Sequence, residues 1–145
     1  YTDGEIERPT YQQVGQGIGG HTEAVMVIFD PKAVSYSTLM EAYWKSFDPT
    51  DFGGQFADRG VQYRPGIYTN SVSQKEIATA SKKVLEDSKR FNKPIVVPII
   101  PASKFWTAEA YHQDYYKKNY IHYKSYRIGS GREGFLNRIW KDESK

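Results

Sequence analysis

Glu23, Asp58, Tyr11 and Tyr63 have side chains that could hold or pass a proton. Glu23 lies in Thr22-Glu23-Ala24-Val25-Met26-Val27-Ile28-Phe29, a run whose two alternating faces are both largely apolar. A strand that is greasy on both faces belongs in the middle of a sheet, so a carboxylate there loses its water. Desolvation disfavours the charged form and raises the pKa, which suits a general acid working near neutrality. The same placement also fits a structural carboxylate that holds a helix end or an arginine. Asp58, in Phe56-Ala57-Asp58-Arg59-Gly60, and the phenols of Tyr11 and Tyr63 could supply hydrogen bonds around such an acid, but each is ambiguous alone.

Other patterns carry less. The glycine run Gly15-x-Gly17-x-Gly19-Gly20 lacks the preceding strand and following helix of a dinucleotide-binding turn, so a tightly turned or flexible loop is expected. His21, His112 and His122 show no ligand-like spacing; His21 and Glu23 share a strand face, but no third ligand joins them, and no metal site is expected. There is no cysteine, so these residues contain no disulfide, no thiolate metal site and no cysteine nucleophile. From Tyr115 to Arg127 aromatic and basic residues alternate, as in proteins that stack single-stranded bases while tracking phosphates. A net charge of +3 is low for that role, and a tyrosine-rich loop with its lysines in water is the favoured reading.

These residues must be positioned by one domain. A chain of 145 residues can enclose a hydrophobic core, and an aromatic content of 15% argues against disorder. No run is long and apolar enough to span a membrane, and the polar opening Tyr1-Thr2-Asp3-Gly4-Glu5 is no secretory leader. Residues 1–20 read as loop and 22–29 as a central strand. Ser35 or Ser37 caps a helix with Leu39, Met40, Tyr43, Trp44 and Phe47 inward, stopped by Asp48-Pro49. A polar loop over 50–60 leads to a strand-like run over 61–69. Ser73-Gln74-Lys75-Glu76 reads as a capping box for a helix through about Lys89, with Ile77, Val84 and Leu85 inward. Residues 95–100 read as a strand, placed at an edge by Pro98. Residues 107–117 read as a helix, and another follows Ser130 with Phe135, Leu136, Ile139 and Trp140. Helices and strands alternate without the period of a doubly wound sheet, which predicts an α+β two-layer domain.

Three stretches resemble the A-type peptide methionine sulfoxide reductases. Pro9-Thr10-Tyr11-Gln12-Gln13-Val14 through Gly19-Gly20-His21-Thr22-Glu23-Ala24-Val25 is similar to that family's P-T-Y-x-x-V-C-x-G-x-T-G-H-A-E-A-V. Tyr43-Trp44 with Phe47-Asp48-Pro49-Thr50, and then Gly54 to Arg64, resemble its F-W…H-D-P-T and Q-G-x-D-x-G-x-Q-Y-R-S. Ala108-Glu109-Ala110-Tyr111-His112-Gln113-Asp114-Tyr115 matches its A-E-x-Y-H-Q-x-Y, and Ser130 to Leu136 resembles the ending of one bacterial subgroup. The resemblance implies a single domain over 1–145, incomplete at its N-terminus, with a two-layer sandwich, a mixed sheet and a ferredoxin-like core.

It further implies reduction of the S epimer of methionine sulfoxide, free or in peptides, by a cysteine thiolate. The implied roles are Glu23 as the acid that protonates the sulfoxide oxygen, Tyr11 and Tyr63 as phenol donors and Asp58 as a supporting polar residue, with His21 also on the substrate side. Thioredoxin or a small thiol is the implied reductant and the cytoplasm the implied compartment; no cofactor is expected. The family's G-C-F-W motif, which carries the nucleophile and an apolar pocket for the substrate methyl, does not occur in this sequence. Gly15 stands where many members have a further cysteine, and the stretch from Tyr120 onward has none. The competing reading is a non-catalytic relative that binds oxidised methionine, or, less favoured, a single-strand nucleic-acid binder.

Overall fold

Thr10 opens the first helix of a mixed helix-and-strand, α+β architecture, in a computed structural model that describes residues 1–141. Its hydroxyl accepts from the Gln13 N–H while the Gln13 side chain accepts from the Thr10 N–H, and this reciprocal box holds the short α1 (Tyr11–Gly15). Ser35 caps α2 (Tyr36–Trp44) by accepting from the Thr38 N–H at 3.1 Å. A tight antiparallel hairpin follows, β1 (Gly54–Gln55) with β2 (Asp58–Arg59). Next come β3 (Ile67–Thr69), α3 (Val72–Asp87) and β4 (Ile99–Pro101). β3 and β4 pair in parallel with Ile67 opposite Ile99, so α3 is the crossover of a β-α-β unit. The chain ends in α4 (Tyr115–Lys118), α5 (Tyr120–Gly129) and α6 (Arg132–Trp140).

The core lies between α2, α3 and the parallel pair. Met40, Trp44 and Phe47 meet Ala78 and Leu85, with Ile67, Ile95 and Val97 on the sheet side. Such side chains contribute about 1.5–3 kcal/mol each on full burial. The Trp44 indole N–H, which would otherwise be lost in this core, donates to Ser81 Oγ at 3.0 Å.

Several expectations change. Residues 22–29 are not a ladder strand: Thr22 exchanges backbone hydrogen bonds with Thr2, and the chain beyond it has no assigned strand. Val25 and Ile28 are each 88% exposed. Apolar alternation makes a strand only where a neighbouring backbone pairs with it. The mixed sheet is accordingly absent among the described residues, which form two separate two-stranded sheets. The run 61–69 is split at Pro65-Gly66 into a 3-10 turn, Val61–Tyr63, and β3. Only the end of 95–100 pairs, at an edge, where the Pro98 carbonyl accepts from Ile67 N–H at 3.0 Å. α3 starts earlier than expected because Ser71 is its cap, and it leaves Val84 70% exposed while Ala78 and Leu85 go inward. Of the helix expected over 107–117 only the end forms: 110–114 are turns, and α4 begins after Asp114 in left-handed backbone, φ 56°. The tyrosine-lysine stretch read as loop instead supplies α4 and α5.

Candidate functional site

Four of the expected residues converge on one open pocket of about 510 Å³: Tyr11, Glu23, Asp58 and Tyr63. Each arrives from a different element. Tyr11 is the first residue of α1, and its backbone N–H donates to Glu109 Oε1 at 2.8 Å. Glu23 follows the Thr2–Thr22 bridge, and its backbone N–H donates to the Gln62 carbonyl at 2.8 Å. Asp58 opens β2. The hairpin before it is closed by Gly54, where a Cβ would collide with the Asp58 backbone oxygen, and by Phe56 in left-handed backbone at φ 55°. Tyr63 ends the Val61–Tyr63 turn.

The electrostatics divide these groups. Crowding around the Glu23 carboxyl raises its pKa, and repulsion from Asp58 raises it further. Glu23 is nevertheless an exposed residue, not one on a buried strand face, so water on the open side moderates the shift without reversing it. The Tyr63 phenol is likewise pushed up, by burial first and then by Glu23 and Asp58, so it keeps its proton as a donor. Two carboxylates and two phenols in one pocket can deliver a proton to an oxygen that is gaining charge and surround that oxygen with hydrogen-bond donors.

His21 takes another place. It is 1% exposed, and its Nε2 pairs with the Ile6 carbonyl at 2.8 Å, so it packs the loop of residues 4–21 and does not line the pocket. A larger open hollow of about 720 Å³, beside Trp140 and lined by Lys45, Arg127 and Arg138, contains none of the expected site residues.

The pocket also has walls that the sequence reading did not name. Gln55 braces the hairpin, its amide donating to the Asp48 carbonyl and accepting from the Asp48 N–H, both at 2.9 Å. His112 packs on the Tyr11 ring with centroids 4.4 Å apart, and its buried Nε2 has no hydrogen-bond partner. Tyr115, Tyr126 and Arg132 come from the three C-terminal helices. The motif Ala108 to Tyr115 was the available signal for His112 and Tyr115, and the stretch Ser130 to Leu136 for Arg132; nothing in sequence spacing pointed to Tyr126.

A family model for peptide methionine sulfoxide reductase matches residues 1–144. The chain is 54% identical over 142 residues to a peptide methionine sulfoxide reductase MsrA of Bacillus velezensis, covering 98% of this chain and 80% of that protein. It is 51% identical over 144 residues to the MsrA of Bacillus pumilus, covering 99% and 81%. Among solved structures, reduced Mxr1 from Saccharomyces cerevisiae superposes with a TM-score of 0.76 at 28% identity, over 82% of this chain and 68% of that one. Methionine sulfoxide reductase A of Corynebacterium diphtheriae gives 0.68 at 32% identity, over 81% and 60%. The chain therefore belongs to the peptide methionine sulfoxide reductases, oxidoreductases that return methionine sulfoxide to methionine.

Proposed function

We propose that Glu23 is the acid of this reaction and that Tyr11 and Tyr63 are its hydrogen-bond donors, with Asp58 as a supporting polar residue beside them. The observation that carries the proposal is the raised proton affinity of Glu23 in a pocket shared with Asp58 and the two phenols. A cysteine thiolate attacks the sulfoxide sulfur and forms a sulfur–sulfur bond. As the protonated oxygen moves to the cysteine sulfur, the methionine sulfur loses its bonds to both oxygen and cysteine, leaving a cysteine sulfenic acid. Methionine leaves as the thioether. Glu23 supplies the proton that the departing oxygen needs. A second thiol then condenses with the sulfenic acid, releasing water and forming a disulfide that thioredoxin or a small thiol reduces.

The nucleophile is not among these 145 residues, which contain no cysteine. It belongs to the Gly-Cys-Phe-Trp segment that the family resemblance implies, and the same resemblance supports the S epimer as substrate. A two-layer, ferredoxin-like domain completed by that segment is the architecture we infer for the enzyme. Dependence on thiol reductants favours a reducing compartment such as the cytoplasm. Among the described residues no helix is long and apolar enough to cross a membrane.

Glu23→Gln tests the assignment, because it keeps shape and hydrogen bonding but removes the transferable proton. With a Gly-Cys-Phe-Trp segment joined ahead of Tyr1, turnover of a methionine S-sulfoxide peptide should fall by about a hundredfold while binding changes little. Near-parental turnover in Glu23→Gln would remove Glu23 from the mechanism. The 145 residues alone, with dithiothreitol, should bind a methyl sulfoxide without removing its oxygen.

A further inference from the structure

Asp58 is held from outside its own hairpin. The Tyr126 hydroxyl, on α5, donates a hydrogen bond to Asp58 Oδ1. Arg132, the first residue of α6, faces the same pocket. Its guanidinium lies 4.7 Å from the centre of the Phe56 ring, in the turn of that hairpin, and donates to the Ser46 carbonyl at 3.1 Å. The C-terminal helices therefore clamp the hairpin at its turn and at its carboxylate.

We infer that Tyr126 is a positioning residue: its phenol keeps the Asp58 carboxylate turned into the pocket toward Glu23, with Arg132 anchoring the hairpin from the other side. The inference rests on the reading of Glu23 as the acid, but its consequence can be measured without turnover.

The charges around the two carboxylates are few. Glu23 meets Asp58, the Tyr1 ammonium, the Tyr1 phenol and Tyr63. Asp58 meets Glu23, Tyr63, Tyr126 and Arg132, and Arg132 itself feels Arg127 and Tyr123. The Tyr126 phenol is pushed up to about 12, first by its bond to Asp58 and then by burial, so across the working pH range it remains a donor. Arg132 is lowered by desolvation first, yet a guanidinium remains charged at neutrality. If Tyr126 is removed, the Asp58 carboxylate loses the hydrogen bond that holds it inward. It turns toward water, and its repulsion of Glu23 weakens with distance and screening.

The experiment is carboxyl NMR on the 145-residue protein, following the Glu23 titration in four proteins: parent, Tyr126→Phe, Asp58→Asn and the double variant. Asp58→Asn should lower the Glu23 midpoint, as expected when one like charge leaves a partly solvated pair. Tyr126→Phe should lower it in the same direction by a smaller amount. In the Asp58→Asn background, Tyr126→Phe should add no further shift, because the phenol then has no carboxylate to hold. Amide spectra matching the parent exclude a general loss of fold, which would move every midpoint. An unchanged Glu23 midpoint in Tyr126→Phe overturns the inference, as does an equal shift with and without Asp58. Failure of the Glu23 turnover test alone would sink the catalytic reading and leave this result standing.

Discussion

Glu23 holds its proton more tightly than a free glutamate, so the fold is strained by its ionisation. The raised pKa comes from crowding first and from Asp58 second, and both effects penalise the charged form in the folded state only. The sign follows from linkage. The native state binds the Glu23 proton more strongly than the unfolded chain, so this contribution is present below the ordinary glutamate pKa of about 4.3 and lost as pH rises through the folded value. Glu23→Gln, which cannot ionise, should melt at a slightly higher temperature than the parent near neutrality. That gain should vanish below about pH 4. A melting temperature that falls at neutrality would mean that the carboxylate makes a stabilising contact the pocket geometry does not contain. Glu23→Gln is thus expected to cost activity and return stability, the usual trade at a catalytic position.

At the scale of elements, the pocket depends on short pieces that stabilise one another. α1 is only five residues long and could not persist alone, yet its capping box and the Glu109 bond to the Tyr11 N–H fix where that phenol sits. The β1–β2 hairpin is equally small. It is closed by Gly54, braced by Gln55 and tied at its exposed edge by the Arg59–Asp51 ion pair, which adds little because water screens it. Gly54 is the sensitive position. Its φ is 148°, and a Cβ there would collide with the Asp58 backbone oxygen. Gly54→Ala should cost roughly 2 kcal/mol in urea unfolding and displace Asp58, which the Glu23 titration would register as a lowered midpoint. Unchanged stability would show that the hairpin relaxes at no cost and that Asp58 is placed by Tyr126 alone. The tyrosine-lysine stretch belongs to this scale too: as α4 and α5 it delivers Tyr115 and Tyr126 to the pocket.

Over the whole molecule, order is uneven. The α2–α3 core with its parallel pair is continuous, and the pocket side is assembled from short helices, a hairpin and turns. The apolar segment from Val25 to Ile28 has no assigned helix or strand, and its residues are more than half exposed. Hydrogen exchange should read this directly. Amides of residues 25–28 should exchange nearly as fast as an unstructured chain, while those of Leu85 and Ile67 should be protected up to global unfolding. Strong protection at 25–28 in the 145-residue protein would mean that a pairing partner covers the segment in solution.

Much of this was legible in the sequence, because the deciding interactions are local or repeat along the chain. The four-residue spacing from Met40 to Trp44 and the serine before it marked α2, and the apolar run of Phe135, Leu136, Ile139 and Trp140 marked the last helix, although Gly131 and not Ser130 is its cap. The motifs around Tyr11, Glu23, Asp58 and Tyr63 named the residues that now share a pocket. Tertiary structure decided the rest, and each case turns on a partner distant in sequence. Residues 22–29 have every local feature of a strand, yet a strand exists only where another backbone accepts its hydrogen bonds, and here Thr2 and Gln62 do so only for Thr22 and Glu23. His21 stands in the same motif as Glu23 but turns to the Ile6 carbonyl, because a buried imidazole must find a partner where the loop offers one. Tyr126 reaches Asp58 across 68 residues. No period or spacing encodes that contact; it follows from how α5 packs once the hairpin and the core have already placed the carboxylate.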